Sequence, residues 1–216
     1  MAVRPGYPVN PDNVAEALPE AASQFRARGL DIPMVTAHGN LLQPDAEGAG
    51  LLAAMDAADV RRLKLGYFKF GPGQMDYWDE VDKARKALEG WSDLAEQYGV
   101  RICYHTHSQR CLGLNAGTLA HMIRGFDPKR IGAFLDAGHL RAEGEEFDVA
   151  VSIVREHLSM VAVKDFLLER VDRENHGVVR RRVVEAGQGM CDWTAIFAEL
   201  KRIGFDGPIS IHCEFE

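Results

Sequence analysis

The chain has 216 residues, with 25 Lys and Arg against 32 Asp and Glu, a formal net charge of −7. Hydrophobic residues make up 46% and charged residues 26%, a globular composition that excludes disorder and collagen-like repeats. The acidic balance argues against a nucleic-acid binder, no apolar run reaches the ~18 residues of a membrane span, and MAVRPGYPVNPDN lacks the apolar stretch of a secretory signal, so a cytoplasmic protein without nucleic-acid or membrane partners is expected.

Leu30–Ala37 reads as a first strand, with Pro33 inside it. Asp45–Ala58, rich in Ala and Leu, reads as a helix, and Arg62–Phe70 as a second strand. A GPGQ turn leads into Tyr77–Tyr98. There Val81, Ala84, Leu88, Trp91, Leu94 and Ala95 recur at spacings of three and four, the period of an amphipathic helix. Val100–His105 is a third strand, Ala116–Gly125 a short helix broken by Gly125-Phe-Asp-Pro, and Ile131–Leu135 a fourth strand. Asp148–His157 reads as helix and Met160–Phe166 as a fifth strand. Asn175–Val184 reads as an irregular excursion or hairpin, and its Arg180-Arg181-Arg182 run as a solvated face. Asp192 caps a helix over Trp193–Ile203, and Pro208–His212 is a sixth strand. Strands alternating with helices predict a parallel sheet with crossover connections. No G-x-G-x-x-G follows any strand, so a dinucleotide fold lacks support. Cys103, Cys111, Cys191 and Cys213 fit no zinc or disulfide spacing and read as free thiols.

Polar residues cluster just after the strands: His38, His105 and His107, Asp136 and His139, Lys164 and Asp165, His212 and Glu214. In a (β/α)8 barrel such positions converge on one mouth. His105 and His107 stand at i and i+2, which share a strand face; both rings can face the mouth, or one can turn away. Asp136-Ala-Gly-His139 puts an aspartate at a strand end with a histidine folded back beside it, and His212-Cys-Glu214 repeats the i, i+2 spacing. Imidazole and carboxylate from several strands suit a divalent transition metal. His38, His121, His157 and His176, each taken alone, read as hydrogen-bonded rim or core residues. Lys164 can hold a substrate oxygen or pair with an acid at the rim. The glycines of Glu185-Ala-Gly-Gln-Gly189 either bring backbone N–H groups to an anion or form a plain turn.

The segments VRICYHTH, IGAFLDAGH, VAVKDF, EAGQGMCDW and FDGPISIHCEFE, in that order, resemble the xylose isomerase-like TIM-barrel superfamily of sugar isomerases and epimerases, over roughly residues 10–216. The resemblance implies an α/β barrel of the (β/α)8 type, a divalent metal and a small sugar or polyol substrate. Position by position, the family's first ligand glutamate falls on His105, its aspartate on Asp136, the following histidine on His139 and its last glutamate on His212. The ligand histidine of the family's H-x-K-D falls on Ala162. This set carries less negative charge than the family's, which favours Zn, Mn, Co or Fe over Mg.

Six strands are fewer than eight, and the first corresponds to about the third of the family barrel. The expectation is therefore one incomplete barrel domain over 1–216, lacking N-terminal strands and the last helix; either the sequence is truncated, or a homodimer mate or partner subunit covers its open edges. The implied activity is a metal-dependent isomerase or epimerase working through an enediolate. His105, Asp136, His212 and Glu214 are the metal candidates; Glu214, His105 and His212 the acid–base candidates; His38, His107, His139 and Lys164 the substrate-binding candidates. The alternative is an accessory sugar-binding subunit with a degenerate metal site. A third possibility, the related metal-dependent endonucleases, fits poorly with the charge and the short ligand set.

Overall fold

Helix boundaries fall where the sequence carries capping groups. A computed structural model describes residues 1–71, 73, 76–172, 174 and 177–215; Pro72 and Gln74 of the expected turn, and His176, lie outside the described residues. The elements in order are α1 (Val14–Arg26), β1 (Val35–Thr36), α2 (Ala46–Ala57), β2 (Arg62–Lys64), α3 (Tyr77–Tyr98), β3 (Arg101–His105), α4 (Ala116–Ile123), β4 (Ile131–Asp136), α5 (Ala137–Ala142), α6 (Phe147–Val154), β5 (Leu158–Val163), β6 (Asp165–Arg170), β7 (Val179–Val184), α7 (Trp193–Arg202) and β8 (Ile209–Ile211). Asp45, Asp76, Asn115 and Asp192 each accept a backbone N–H from the first turn of the following helix, satisfying donors a helix start leaves open. Gly99 ends α3 in the left-handed region at φ 62°, where a side chain would be strained.

The strands form a six-stranded parallel sheet in the order β1-β2-β3-β4-β5-β8. This open order is an incomplete (β/α)8 barrel, as the alternating pattern predicts. Ala2 bridges to Thr36 along the free side of β1. The other edge, β8, carries exposed Ile209 and Ile211.

Strand side chains alternate between faces. Val35, Leu63, Ile102, Tyr104, Ala133, Leu135 and Val161 join helix residues such as Leu88, Trp91 and Leu119 in the main core. The opposite, concave face holds a small cluster of Cys103, Phe134, Met160 and Ala162, with Met34 against it. Two residues beyond Cys103 comes His105, and two beyond Phe134 comes Asp136, so both share that concave face. Lys64 lies in register with Cys103, and Ser210, two before His212, is in register with Ala162. The same alternation thus brings four polar side chains to the mouth end of an apolar concave surface.

Five elements differ from the sequence expectation. The first strand covers only Val35–Thr36 of the expected Leu30–Ala37. Helix α1 was not expected; its apolar Val14, Leu18 and Ala22 recur every fourth residue, but Pro19 masks the pattern. The second strand stops at Lys64 rather than Phe70, because Gly66 packs directly on the backbone of Gly39 and the chain then turns to bridge Lys69 to Cys111. The fifth strand divides at Lys164. Its first part stays in the sheet, while β6 leaves it to form an antiparallel hairpin with β7, where Arg181 pairs with Glu143 and Arg182 with Glu169. The expected turn after Asp136 is the helical α5, pressed so closely on β5 that a Cβ at Gly138 would lie 2.5 Å from the Lys164 carbonyl oxygen. All four cysteines are free thiols. Among the described residues, no helix is long and apolar enough to cross a membrane.

Candidate metal centre

Asp136 ends β4 and also caps α5. Its Oδ1 accepts the backbone N–H of His139 at 3.0 Å, and its own N–H donates to Thr106 Oγ1 at 2.9 Å. The backbone and one carboxylate oxygen of Asp136 are therefore fixed, and the residue is 0% exposed. The second oxygen, Oδ2, lies 3.3 Å from His105 Nε2 and 3.5 Å from His212 Nδ1. One ligand atom from each of His105, Asp136 and His212 falls within 4.8 Å of the others.

Three buried polar atoms here have no hydrogen-bond partner: His105 Nε2, Asp136 Oδ2 and His139 Nε2. Buried polar atoms are rarely left alone, because desolvation without a bond costs about 1–3 kcal/mol each. Two of the three belong to the triad. Burial pushes the His105 imidazole down to about 4, outweighing the pull of Asp136, so the ring is neutral near pH 7 and keeps a lone pair. Burial alone would raise the Asp136 carboxyl, but the close approach of the His105 and His212 rings holds it well below its ordinary range. Two imidazoles and one carboxylate match the donor set of a borderline divalent cation, so these residues fit such an ion.

Tyr67 orients the first of these candidate ligands. Its hydroxyl is 2.9 Å from His105 Nδ1. With Nδ1 protonated and donating to that hydroxyl, Nε2 presents the lone pair toward Asp136. A partner on the far nitrogen of a ligand histidine is a regular feature of metal sites. Sequence reading missed Tyr67 because it treated Arg62–Phe70 as one strand, in which Tyr67 would face away; the turn at Gly66 swings it over the mouth. Tyr67→Phe is expected to weaken zinc binding roughly 10–100-fold, measured by competition with a chromogenic chelator. An unchanged affinity would reduce the tyrosine to packing.

Ser108 was missed for a similar reason, lying beyond the end of β3. Its backbone N–H donates to His139 Nδ1 at 3.2 Å, with its hydroxyl 2.8 Å from the same atom. Nδ1 therefore accepts, and Nε2 carries the proton. Burial keeps the His139 ring neutral, well below its ordinary range. His107 leaves the strand face and packs on His139 in a tilted arrangement, ring centroids 4.1 Å apart. Its Nδ1 donates to the Ser108 carbonyl at 2.7 Å, which leaves the lone pair on Nε2. Burial lowers its pKa as well.

The remaining candidates are distributed unevenly. Glu214 binds Lys164 at 2.6 Å and reaches His212 only at 4.0 Å, so its carboxylate stands beside the triad rather than within it. Burial works to raise the Glu214 carboxyl, and the Lys164 ammonium more than offsets that. Lys164 is thus both at the mouth and in the rim pair that its sequence position allowed. His38 is not brought in: its Nε2 is 2.7 Å from Glu47 on α2. His121 is bonded to Tyr77, and His157 to the Ile131 carbonyl. The glycine loop at 185–189 does bring N–H groups to an anion, and that anion is Asp165 of the chain itself.

Comparison with known proteins gives the same architecture. A family model described as xylose isomerase-like TIM barrel matches residues 4–216. An inosose dehydratase of Lacticaseibacillus casei is 27% identical over 146 residues, which cover 63% of this chain and 48% of that protein; the chain thus spans about half the length of that curated relative. The structure of 3-keto-D-glucoside 4-epimerase YcjR from E. coli superposes with a TM-score of 0.74 at 14% identity, covering 98% of this chain and 83% of that one. The IolI protein with a bound zinc atom superposes with a TM-score of 0.71 at 19% identity, covering 93% and 73%.

Proposed function

The chain belongs to the xylose isomerase-like TIM-barrel family, and on that premise we propose that it is a metal-dependent isomerase or epimerase of a small sugar, ketose or polyol derivative, working by proton transfer through an enediolate. The observation that carries this reading is the convergence of two imidazoles and one buried carboxylate, with His105 Nε2 and Asp136 Oδ2 unpartnered. His105, Asp136 and His212 would hold the ion, with Glu214 beside them as a fourth candidate. A bound divalent cation supplies a Lewis acid for carbonyl and hydroxyl oxygens and stabilises the charge left when a proton leaves the neighbouring carbon. A nitrogen-rich set favours Zn, Mn, Co or Fe over Mg.

The chain's own groups do the rest. His139 donates from Nε2 to a substrate oxygen, and Lys164 donates to another. His107, neutral and carrying its lone pair on Nε2, takes the proton from carbon. Glu214, held anionic by Lys164, is the other proton acceptor. A histidine engaged with the ion cannot also be a free base, so His105 and His212 act as acid and base only in a metal-free version of this site. His38 bears on substrate only if it releases Glu47.

The test is proton exchange in D2O. The chain is loaded in turn with Zn²⁺, Mn²⁺, Co²⁺, Fe²⁺ and Mg²⁺ and incubated with a panel of ketoses and keto-polyols. Deuterium is expected to enter at the carbon beside the carbonyl, more with the first four ions than with Mg²⁺. No exchange with any ion would remove the reading. A second reading, an accessory sugar-binding subunit, is favoured by Ala162, a buried methyl group in register with Asp136, where the family carries a ligand histidine. Sugar binding without exchange would support it. A homodimer mate or partner subunit at the uncovered edge of β8 belongs to either reading, and light scattering on the same sample reports it.

A further inference from the structure

Lys64 has no role in the chemistry above, yet it is 7% exposed on the concave face. Lysine is almost never buried without a partner. Among the described residues its ammonium makes no hydrogen bond or ion pair; it lies 3.9 Å from the centroid of the Tyr67 ring. Tyr67 is the residue whose hydroxyl meets His105, so the ammonium stands one side chain away from the triad. Lys69 approaches the same ring at 5.5 Å and, among the described residues, has only the Cys111 sulfur in reach of its Nζ, at 3.2 Å. Arg4 follows the short bridge at Ala2, which pairs beside β1. Its buried Nε has no partner, and its guanidinium makes no ion pair among the described residues.

These cations are within one another's field. Burial pushes the Lys64 ammonium down to about 8, with repulsion from Arg4 and Lys69 adding to it, against the pull of Cys111 and Glu214. The nearby carboxylates do not neutralise them: Glu214 is bound to Lys164, and Asp136 lies between two histidines. In a chain of net charge −7, a group of uncompensated cations beside a candidate active centre calls for an anion from outside.

We propose that Arg4, Lys64 and Lys69 form an oxyanion subsite next to the His105–Asp136–His212 centre, so that the substrate is an acidic sugar derivative bearing a carboxylate or a phosphate. Guanidinium and ammonium groups are the donors that bind either anion with charge-assisted bonds. This specificity rests on the proposed sugar-modifying function, but binding tests it separately.

Chelator-treated protein is titrated by calorimetry with inorganic phosphate, D-gluconate and the neutral polyol D-sorbitol. At least one anion is expected to bind, and sorbitol far more weakly. Preference for phosphate assigns a sugar phosphate, and preference for gluconate a sugar acid. Lys64→Gln and Arg4→Gln should each weaken anion binding about tenfold, as expected for loss of a charge-assisted contact; Lys69→Gln, at an exposed position, serves as a third variant if either of these changes impairs folding. Binding of neither anion, or binding indifferent to all folded variants, overturns the subsite. Zinc uptake is measured on the same variants. Retained uptake with no anion binding defeats the subsite alone, and anion binding without zinc uptake defeats the metal centre alone.

Discussion

Asp136→Ala is expected to abolish metal uptake and, with it, turnover. The carboxylate is the only anionic member of the triad, and its Oδ2 stands between His105 Nε2 and His212 Nδ1. Without it, two imidazoles remain, with no negative charge to offset a dication. Loss of a supporting partner around a metal typically costs 10–100-fold in affinity, so loss of the ligand itself should cost more than roughly 100-fold. Asp136→Asn separates the two jobs of this side chain. It can still cap α5 by accepting from His139, so the fold should persist, while the charge at the centre is gone. Zinc content after dialysis, with a circular-dichroism melt on the same sample, reads both. A folded Asp136→Ala variant that keeps zinc as tightly as the wild type would place the ion elsewhere or nowhere.

Asp165→Ala is expected to be the most destabilising single change at the rim, by about 3–5 kcal/mol. The Asp165 carboxylate accepts from the backbone N–H groups of Phe166, Gly187, Gly189, Met190 and Cys191 and from Trp193 Nε1, at 2.9 to 3.2 Å. Alanine leaves these donors facing an apolar group. For a chain of this size that corresponds to a fall in melting temperature of roughly 10 °C. The same group sets part of the acid limb of stability. Burial tends to raise its pKa, but the N–H donors, led by Gly187, hold it below the ordinary aspartate value. A depressed folded pKa means that the contribution is present in full above the unfolded value of about 3.9 and is lost as pH falls through the folded one. Wild-type stability should therefore drop below about pH 4 more steeply than that of Asp165→Ala. Parallel acid limbs in the two proteins would contradict this account.

The structure also explains why β6 leaves the sheet. The sequence offers Met160–Phe166 as one strand, and by apolar content alone that is correct. The carboxylate at position 165 instead gathers the 187–191 backbone around itself, and Gly189 is needed there because a Cβ would collide with the Asp165 side chain. Gly187 has φ 93°, open to glycine without strain. The glycine-rich stretch was legible as a loop able to surround an anion. Which anion it surrounds depended on a residue more than twenty positions earlier.

What the sequence determined by itself was the periodic part. The three-and-four spacing over Tyr77–Tyr98 and the short apolar runs set the order of helices and strands, and two-residue alternation set which strand ends share a face. His105, Asp136 and His212 were legible for that reason, since each lies a whole number of pleats beyond an inward-facing neighbour. Only the tertiary structure decided what happens where periodicity stops. Tyr67, Ser108 and Lys64 acquire their meaning from a turn against Gly39, from the chain beyond β3, and from the approach of the N-terminal segment to β1. His38 loses its expected place to Glu47, and Glu214 stands with Lys164 rather than in the triad. Hydrogen bonds and charge pairs at the mouth act over a few ångströms between residues far apart in the chain, so their partners follow from packing and not from local pattern.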